Sequence, residues 1–237
     1  MKLVIFFYLY SILLKIIVVI MKQVKIKSGK TYPIGKIVCV GRNYIAHAKE
    51  LGNEVPDKPV IFLKPTSSVI YSGDKIIHPS FSTDMHHETE LVLLIGKTVK
   101  DADEKGAEEA IAAYGVGLDM TLRDIQTELK QKGHPWTIAK GFDTSAVLSE
   151  FISKEDYRLT LDEEIILRVN DTERQHEKLN KMIFTPAQIV EYISSLMTLE
   201  EGDLVFTGTP AGVNKAVRGD KLHAEITGIA SLECEVV

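Results

Sequence analysis

The chain has 237 residues, of which 45% are hydrophobic and 26% are charged, proportions that are ordinary for a globular domain. Its net charge of -5 argues against a nucleic-acid-binding protein, because neutralising phosphates requires a basic face. The charge is compatible with an anionic substrate, since a bound divalent cation supplies local positive charge. The two cysteines, Cys39 and Cys234, lie in apolar runs. They predict buried free thiols and a cytoplasmic protein rather than a disulfide framework.

Residues 3–20 form an apolar run that is interrupted only by Ser11 and Lys15. Its length suits a membrane anchor, although Lys15 would lie inside the span, where a charge is costly. A signal peptide would require a small-residue cleavage site, which does not follow. A mis-assigned start would make Met21 the first residue, just before a strand. These three interpretations stay open. We predict a single catalytic domain over residues 21–237 that is membrane-associated only if residues 1–20 are an expressed anchor.

The remaining sequence predicts more strands than helices. Short β-branched runs bounded by turn residues predict strands over residues 36–40, 60–64, 88–95, 115–119, 165–169, 174–177, 204–207, 223–226 and 231–236. Helices are predicted over residues 44–51, 107–113, 121–131 and from 185 to about 197, with Thr121 and Thr185 as caps. Asn170-Asp171 predicts a hairpin turn. The helices lack βαβ regularity, so we predict a mixed α+β, mostly β architecture rather than a Rossmann sheet.

Two glutamates at the start of an apolar strand predict a metal site. Glu88 and Glu90 are spaced i and i+2, so on a strand they point to the same face, which continues as Val92 and Leu94. Two carboxylates leading a buried face repel each other and are costly to desolvate. A hard cation between them, Mg²⁺, Mn²⁺ or Ca²⁺, removes both problems. The alternative is an exposed strand end with two solvated glutamates.

Asp119 offers a third carboxylate at the end of the strand over residues 115–119. A turn or a capping role is the alternative interpretation. Arg123 and Gln126, spaced i and i+3, share one face of the helix that follows. Spacing alone favours a solvated helix face, but the first turn of this helix lies beside Asp119.

Other residues carry weaker signals. Lys140 lies in an apolar stretch and could pair with a carboxylate or an anionic intermediate, or simply lie on the surface. His47 and Glu50 are spaced i and i+3 on a short helix, where a carboxylate could orient the imidazole as a general base. In isolation, a surface pair is the better interpretation. Residues 206–210 form a strand running into a glycine turn, which could hold a substrate carboxylate or be a plain turn.

Six motifs in a fixed order carry a family resemblance. They read VGRNY at 40–44, FLKP at 62–65, HETEL at 87–91, LDMTLRD at 118–124, AK at 139–140 and TGTP at 207–210. In this order the chain resembles the fumarylacetoacetate hydrolase family, above all its small single-domain acylpyruvases and oxaloacetate decarboxylases. The resemblance covers residue 37 to the end of the chain, so the leader is the main departure from the family pattern.

The resemblance implies a mixed β-roll or β-sandwich fold with a few peripheral helices, Mg²⁺ or Mn²⁺, and a homodimer. It implies Glu88, Glu90 and Asp119 as metal ligands, and His47 and Glu50 as a catalytic dyad on a mobile lid. It also implies that Lys140 stabilises developing negative charge. Residues that contact the substrate would be Arg42, Arg123, Gln126 and Thr209.

The predicted function is hydrolysis of the C–C bond of a small 2,4-dioxo acid, which releases pyruvate. Here His47, oriented by Glu50, would activate the attacking water. Decarboxylation or keto–enol tautomerisation of oxaloacetate could use the same metal site and stays an alternative. A non-catalytic metal-binding module is the alternative from a different class. It would need neither His47 nor Lys140 near the metal.

Overall fold

The computed structural model describes residues 21–50, 52 and 54–237, so the predicted leader at residues 1–20 lies outside the described residues. The strands are β1 (Gln23–Lys25), β2 (Thr31–Pro33), β3 (Ile37–Gly41), β4 (Val60–Lys64), β5 (Val69–Tyr71), β6 (Lys75–Ile76), β7 (Met85–His87), β8 (Thr89–Ile95), β9 (Ile111–Asp119), β10 (Thr121–Leu122), β11 (Ala146–Leu148), β12 (Ile152–Ser153), β13 (Glu164–Val169), β14 (Thr172–Lys178), β15 (Leu204–Phe206), β16 (Asn214–Lys215), β17 (Lys221–Ile226) and β18 (Ala230–Val236). The helices are α1 (Ile45–Glu50), α2 (Glu104–Ala110), α3 (Arg123–Gln131), α4 (Thr137–Lys140) and α5 (Pro186–Leu196). Among these helices, none combines the length and apolar character needed to cross a membrane.

Two large sheets form the body of the described region. The larger sheet has the order β4-β3-β15-β8-β9-β11-β5, with β12 paired to β9. The second has the order β14-β13-β17-β18-β6. Two small sheets, β10-β7-β16 and β1-β2, complete the structure. This arrangement of curled sheets with a few peripheral helices confirms the predicted mostly β fold.

The central strand β8 is buried on both of its faces. Its alternate residues Leu91 and Leu93 join the main core together with Leu167 and Ala224 from the second sheet. Val92 and Leu94 face the opposite way, into a smaller core with residues of the β1-β2 hairpin. Because each face of a strand takes every second residue, burial of both faces explains why β8 is apolar throughout after Glu90.

Two local predictions are confirmed in detail. Helix α5 starts at a capping box, in which the Thr185 side chain accepts from the Gln188 backbone N–H and the Gln188 side chain accepts from that of Thr185. Strands β13 and β14 pair antiparallel across Asn170 and Asp171, whose φ values are 51° and 64°. Two successive left-handed residues are typical of a tight hairpin turn. Cys39 and Cys234 are buried free thiols, as predicted.

Two helix boundaries differ from the sequence prediction. Helix α2 begins at Glu104, capped by the Asp103 side chain, and it ends at Ala110 rather than continuing to residue 113. Residues 111–113 belong to β9, because they pair with β8 in the large sheet. Thr121 does not cap α3: it lies in β10, and Leu122 precedes the helix without a side-chain cap. Pairing with β7 outweighs the local capping signal at Thr121.

The order of the strands brings several chain segments to one edge of the large sheet. Strands β3 and β15 run parallel, with Phe206 opposite Cys39, so Arg42 and Thr209 both follow the same sheet edge. Strand β8 runs antiparallel to β15 and therefore begins at this edge, just after Glu88. Strand β9 ends there at Asp119, whose backbone N–H donates to the Glu88 carbonyl at 2.8 Å. The edge gathers residues that are far apart in the sequence.

Candidate active site

Three buried carboxylates converge at this edge. Oxygens of Glu88, Glu90 and Asp119 lie within 4.8 Å of one another, and each residue is at most 4% exposed. Glu90 projects from β8 and Asp119 from the end of β9, whereas Glu88 lies in the break between β7 and β8. The three side chains therefore cluster as predicted. Glu88, however, lies just before β8, although the sequence predicts that the strand begins at residue 88.

Three cations surround the carboxylates. The Lys140 ammonium donates to Glu88 Oε2 and to Asp119 Oδ2, both at 2.6 Å. Lys64 Nζ lies 2.8 Å from Asp119 Oδ1, and Arg123 donates to Glu88 Oε1. Burial opposes charge on Lys140, but the carboxylates of Asp119 and Glu88 outweigh it and raise the pKa of this lysine. Lys140 therefore stays protonated at neutral pH.

The negative charge of Glu90 is compensated much less than the charges of Glu88 and Asp119. Its Oε2 accepts a hydrogen bond from the Gly208 backbone N–H at 2.7 Å, and no ammonium or guanidinium of the described region pairs with it directly. Burial, followed by the carboxylates of Asp119 and Glu88, holds the pKa of Glu90 well above its ordinary value. Gly208 has a φ of 97°, and a Cβ there would lie 2.7 Å from Asn43 Cβ. Glycine is therefore required for the turn that presents this N–H.

The donor set fits a hard divalent cation. Three carboxylates supply oxygen ligands, which suit Mg²⁺ or Mn²⁺, and a dication would lower the pKa of Glu90 by offsetting the repulsion among them. Ligands of this kind leave positions free for a substrate in an octahedral shell. The residues that would hold the ion are therefore Glu88, Glu90 and Asp119.

A histidine and a glutamate lie beside the carboxylates. His47 Nδ1 is 3.4 Å from Glu50 Oε2, and His47 is 4% exposed. Burial lowers the pKa of His47 from 6.5, although the carboxylates of Glu88 and Glu50 oppose this shift. A neutral imidazole at pH 7 can accept a proton. Glu50 also accepts from the Gly212 backbone N–H at 3.1 Å, which ties α1 to the loop after Thr209.

Cationic side chains also line the cleft. Arg123, Gln126 and Lys130 occupy one face of α3 and all line it. Arg42 lines it as well, with a left-handed φ of 62° and a buried Nε that has no hydrogen-bond partner in the described region. Burial, then the charges of Arg42 and Arg123, lower the pKa of Lys130 to about 8. Lys130 also lies over the Trp136 ring, 5.2 Å from its centroid.

Thr209 lines the cleft from the loop after β15. Its hydroxyl oxygen accepts from Gln175 Nε2 at 2.8 Å, and the side chain is buried. Together with Thr209, nine of the ten predicted site residues line one cleft: Arg42, His47, Glu88, Glu90, Asp119, Arg123, Gln126, Lys140 and Thr209. The tenth, Glu50, lies behind His47. Their chemical roles stay predictions.

Sequence reasoning assigned no role to three residues of this site. Lys64 was part of a motif, and its buried ammonium touches Asp119 and the Lys140 carbonyl. Thr121 was interpreted as a helix cap, but its hydroxyl accepts from Lys140 Nζ at 2.6 Å. Gln175 lies on a polar strand that gives no signal of a site. The position of Lys64 within the FLKP motif at 62–65 was the signal that could have identified it.

Known proteins resemble this chain over most of its length. A family model described as "Fumarylacetoacetate (FAA) hydrolase C-terminal" matches residues 36–237. A mitochondrial oxaloacetate tautomerase of Arabidopsis thaliana is 48% identical over 201 residues, which is 85% of this chain and 90% of that protein. A mitochondrial oxaloacetate decarboxylase of Dictyostelium discoideum is 47% identical over 195 residues, 82% of this chain and 89% of that protein.

A solved structure shares the same architecture. The fumarylpyruvate hydrolase from Pseudomonas aeruginosa, in complex with Mn²⁺ and pyruvate, superposes with a TM-score of 0.88 at 37% identity. The match covers 92% of this chain and 96% of that chain.

Proposed function

Because the chain belongs to the fumarylacetoacetate hydrolase family, an enzyme family, we propose that it uses Mg²⁺ or Mn²⁺ to interconvert the keto and enol forms of oxaloacetate. The observation that carries this proposal is a single cleft that combines three buried carboxylates, a neutral histidine and cations without acidic partners. The names of the relatives in Arabidopsis and Dictyostelium support oxaloacetate as the substrate.

The metal would supply Lewis acidity to the keto group of the substrate. Residues of the chain would transfer the proton and stabilise the developing charge. His47, neutral because it is buried, would take a proton from the carbon next to the keto group. Lys140, held protonated by Asp119 and Glu88, would stabilise the negative charge that develops on the keto oxygen. Return of the proton to that oxygen completes the tautomerisation.

The cationic side chains of the cleft favour a dicarboxylate. Arg42 and Lys130 face the cleft, and neither forms an ion pair with an acidic side chain of the described region. Their mutual repulsion contributes to the lowered pKa of Lys130, which an anion between them would relieve. Oxaloacetate carries a second carboxylate that can lie there, whereas acetylpyruvate carries none. Arg123, Gln126 and Thr209 would bind the end of the substrate that carries the other carboxylate, next to the keto group.

Hydrolysis of a 2,4-dioxo acid, the function placed first by the sequence, is the second candidate. The His47–Glu50 pair favours it, because this pair could activate a water as well as move a proton. The similar solved structure from Pseudomonas aeruginosa is a fumarylpyruvate hydrolase, and fumarylpyruvate also carries two carboxylates. The cationic side chains of the cleft therefore support both substrates over acetylpyruvate.

Three assays on the purified full-length chain with Mg²⁺ or Mn²⁺ separate these activities. The first assay follows enol-to-keto conversion of oxaloacetate. The other two follow pyruvate release, one from oxaloacetate and one from fumarylpyruvate. EDTA and Glu88→Ala are the controls. Metal-dependent conversion of the enol that exceeds pyruvate release supports the tautomerase. Faster release from fumarylpyruvate would overturn it in favour of the hydrolase.

Three further proposals concern the chain as a whole. The resemblance to the family supports a homodimer with residues 21–237 as one catalytic domain. The free cysteines Cys39 and Cys234 support a cytoplasmic location, with membrane association only if residues 1–20 are an expressed anchor. Light scattering of the purified protein and fractionation of the source cells test the assembly and the location separately. A monomer of about 26.4 kDa would contradict the first.

A further inference from the structure

Strand β14 carries one buried polar residue to which the proposed function assigns no role. Gln175 is 1% exposed, whereas its neighbours on either side along β14, Arg174 and His176, are exposed. Its amide makes contacts with three segments that build the cleft: the end of β7, the start of β8 and the loop after β15. A buried amide satisfied on both ends has one orientation.

The orientation of this amide follows from two backbone groups. The Thr89 backbone N–H can only donate, and it lies 3.1 Å from Gln175 Oε1. The Pro210 carbonyl can only accept, and it lies 2.9 Å from Gln175 Nε2. The oxygen end therefore faces β8, and the NH₂ end faces the loop after β15.

The NH₂ end determines what the Thr209 hydroxyl can do. Gln175 Nε2 lies 2.8 Å from Thr209 Oγ1, so the amide donates and the hydroxyl oxygen accepts. The Thr209 proton must then point to another acceptor, and the part of the chain that the structure describes contains no hydrogen bond that Thr209 donates through its hydroxyl. Thr209 lines the cleft, where the acceptor within reach is a bound anion.

We infer that Gln175 is a positioning residue that turns Thr209 into an obligate hydrogen-bond donor toward the substrate carboxylate. This inference rests on the proposed 2-oxo acid function. Without the amide, the Thr209 hydroxyl loses the donor that holds its oxygen in the accepting role, so its proton can turn away from the cleft. The loss would be one charge-assisted hydrogen bond to the bound acid.

Calorimetry on the full-length chain loaded with Mn²⁺ tests the inference, with pyruvate as the probe. The variants are Gln175→Met, Thr209→Val and the double variant. We expect each single variant to weaken pyruvate binding about tenfold. The double variant should bind pyruvate no more weakly than Thr209→Val, because Gln175 acts through Thr209. Mn²⁺ affinity, measured separately, should stay unchanged in all three.

Thr207→Val is the matched control. It removes a buried hydroxyl that donates to the Leu91 carbonyl at 2.9 Å in the same loop but does not line the cleft. It should lower the melting temperature and leave pyruvate affinity unchanged. If Gln175→Met does not fold, Gln175→Glu keeps an acceptor for Thr89. Its introduced carboxylate should weaken pyruvate binding more as the pH rises and the donor proton is lost.

Two results would overturn the inference. In one, Gln175→Met or Gln175→Glu binds pyruvate as the natural protein does. In the other, the two losses in the double variant multiply, which means that Gln175 acts independently of Thr209. If the natural protein loaded with Mn²⁺ does not bind pyruvate at all, the proposed function fails together with the inference. The three outcomes are distinct.

Discussion

The Lys140 ammonium lies 2.6 Å from a carboxylate oxygen of Asp119 and equally close to one of Glu88. One lysine therefore compensates two of the three predicted metal ligands. Because all of these groups are buried, removing Lys140 leaves Asp119 paired with Lys64 and Glu88 paired with Arg123, with less compensation in a medium that solvates carboxylates poorly.

Lys140→Met should destabilise the metal-free protein by about 3–5 kcal/mol, as expected when one partner of a buried ion pair is removed. Mn²⁺ should recover part of this loss, since a dication also offsets the carboxylates. Thermal unfolding with EDTA and with Mn²⁺ measures both effects. Lys97→Met is the control, because its pair with Glu109 is more than half exposed and should change little. Equal melting temperatures for both variants in EDTA would contradict the expectation.

Glu90→Gln should change stability and metal affinity in opposite directions. Burial and the neighbouring carboxylates raise the pKa of Glu90, so a neutral amide of the same shape relieves repulsion in the metal-free protein. The amide oxygen can still accept from the Gly208 N–H. We expect a higher melting temperature in EDTA and about tenfold weaker Mn²⁺ binding or worse. A lower melting temperature in EDTA would show that Glu90 is not electrostatically strained.

The pH profile of turnover should report His47. Burial lowers the pKa of His47 from 6.5, so the imidazole stays neutral and active at neutral pH. As pH falls through this lowered pKa, the imidazole becomes protonated and kcat/KM should drop. Glu50→Gln removes a carboxylate that opposes the shift, so the acidic limb should move to still lower pH. A limb that moves to higher pH in this variant would contradict the assignment of His47 as the base.

Lys130→Met should weaken the binding of a dicarboxylate substrate but not that of a monocarboxylate. If Lys130 binds the second carboxylate, the KM for oxaloacetate should rise about tenfold, and pyruvate affinity should not change. Lys132→Met is the control, because Lys132 is exposed on the same helix end and pairs with Glu128. Steady-state kinetics with oxaloacetate and calorimetry with pyruvate provide the comparison. An equal loss for both ligands would place Lys130 near the common end of the substrate instead.

The sequence predicted the cleft better than it predicted the local structure around it. Glu88 and Glu90 could be paired because alternation points residues i and i+2 of a strand to one face, and the resemblance to the family added Asp119 as the third predicted ligand. Thr121 was misassigned, because its spacing to Asp124 matches a capping signal while pairing with His86 on β7 places it in a strand. Tertiary pairing of this kind leaves no trace in local spacing.

Gln175 shows a second limit of sequence reasoning. Strand β14 reads TERQHEK, in which every side chain is polar, so alternation does not distinguish the buried position. Its partners lie 34 and 86 residues away in the chain. Lys64 was visible as part of a motif, but its contact with Asp119 spans the β4–β3–β15–β8–β9 path of the sheet. Such contacts depend on strand order, which composition and periodicity do not determine.

The pairing of β15 with both β3 and β8 also affects synthesis of the chain. The Gly208 N–H that supports Glu90 comes from the last forty residues, whereas Glu90 lies in the first half of the chain. Chains are synthesised from the amino terminus, and contacts this distant in sequence form late. On the ribosome, the three carboxylates are therefore synthesised well before the loop that completes their surroundings. The enzyme can become competent only once residues 204–212 have left the exit tunnel and joined the sheet.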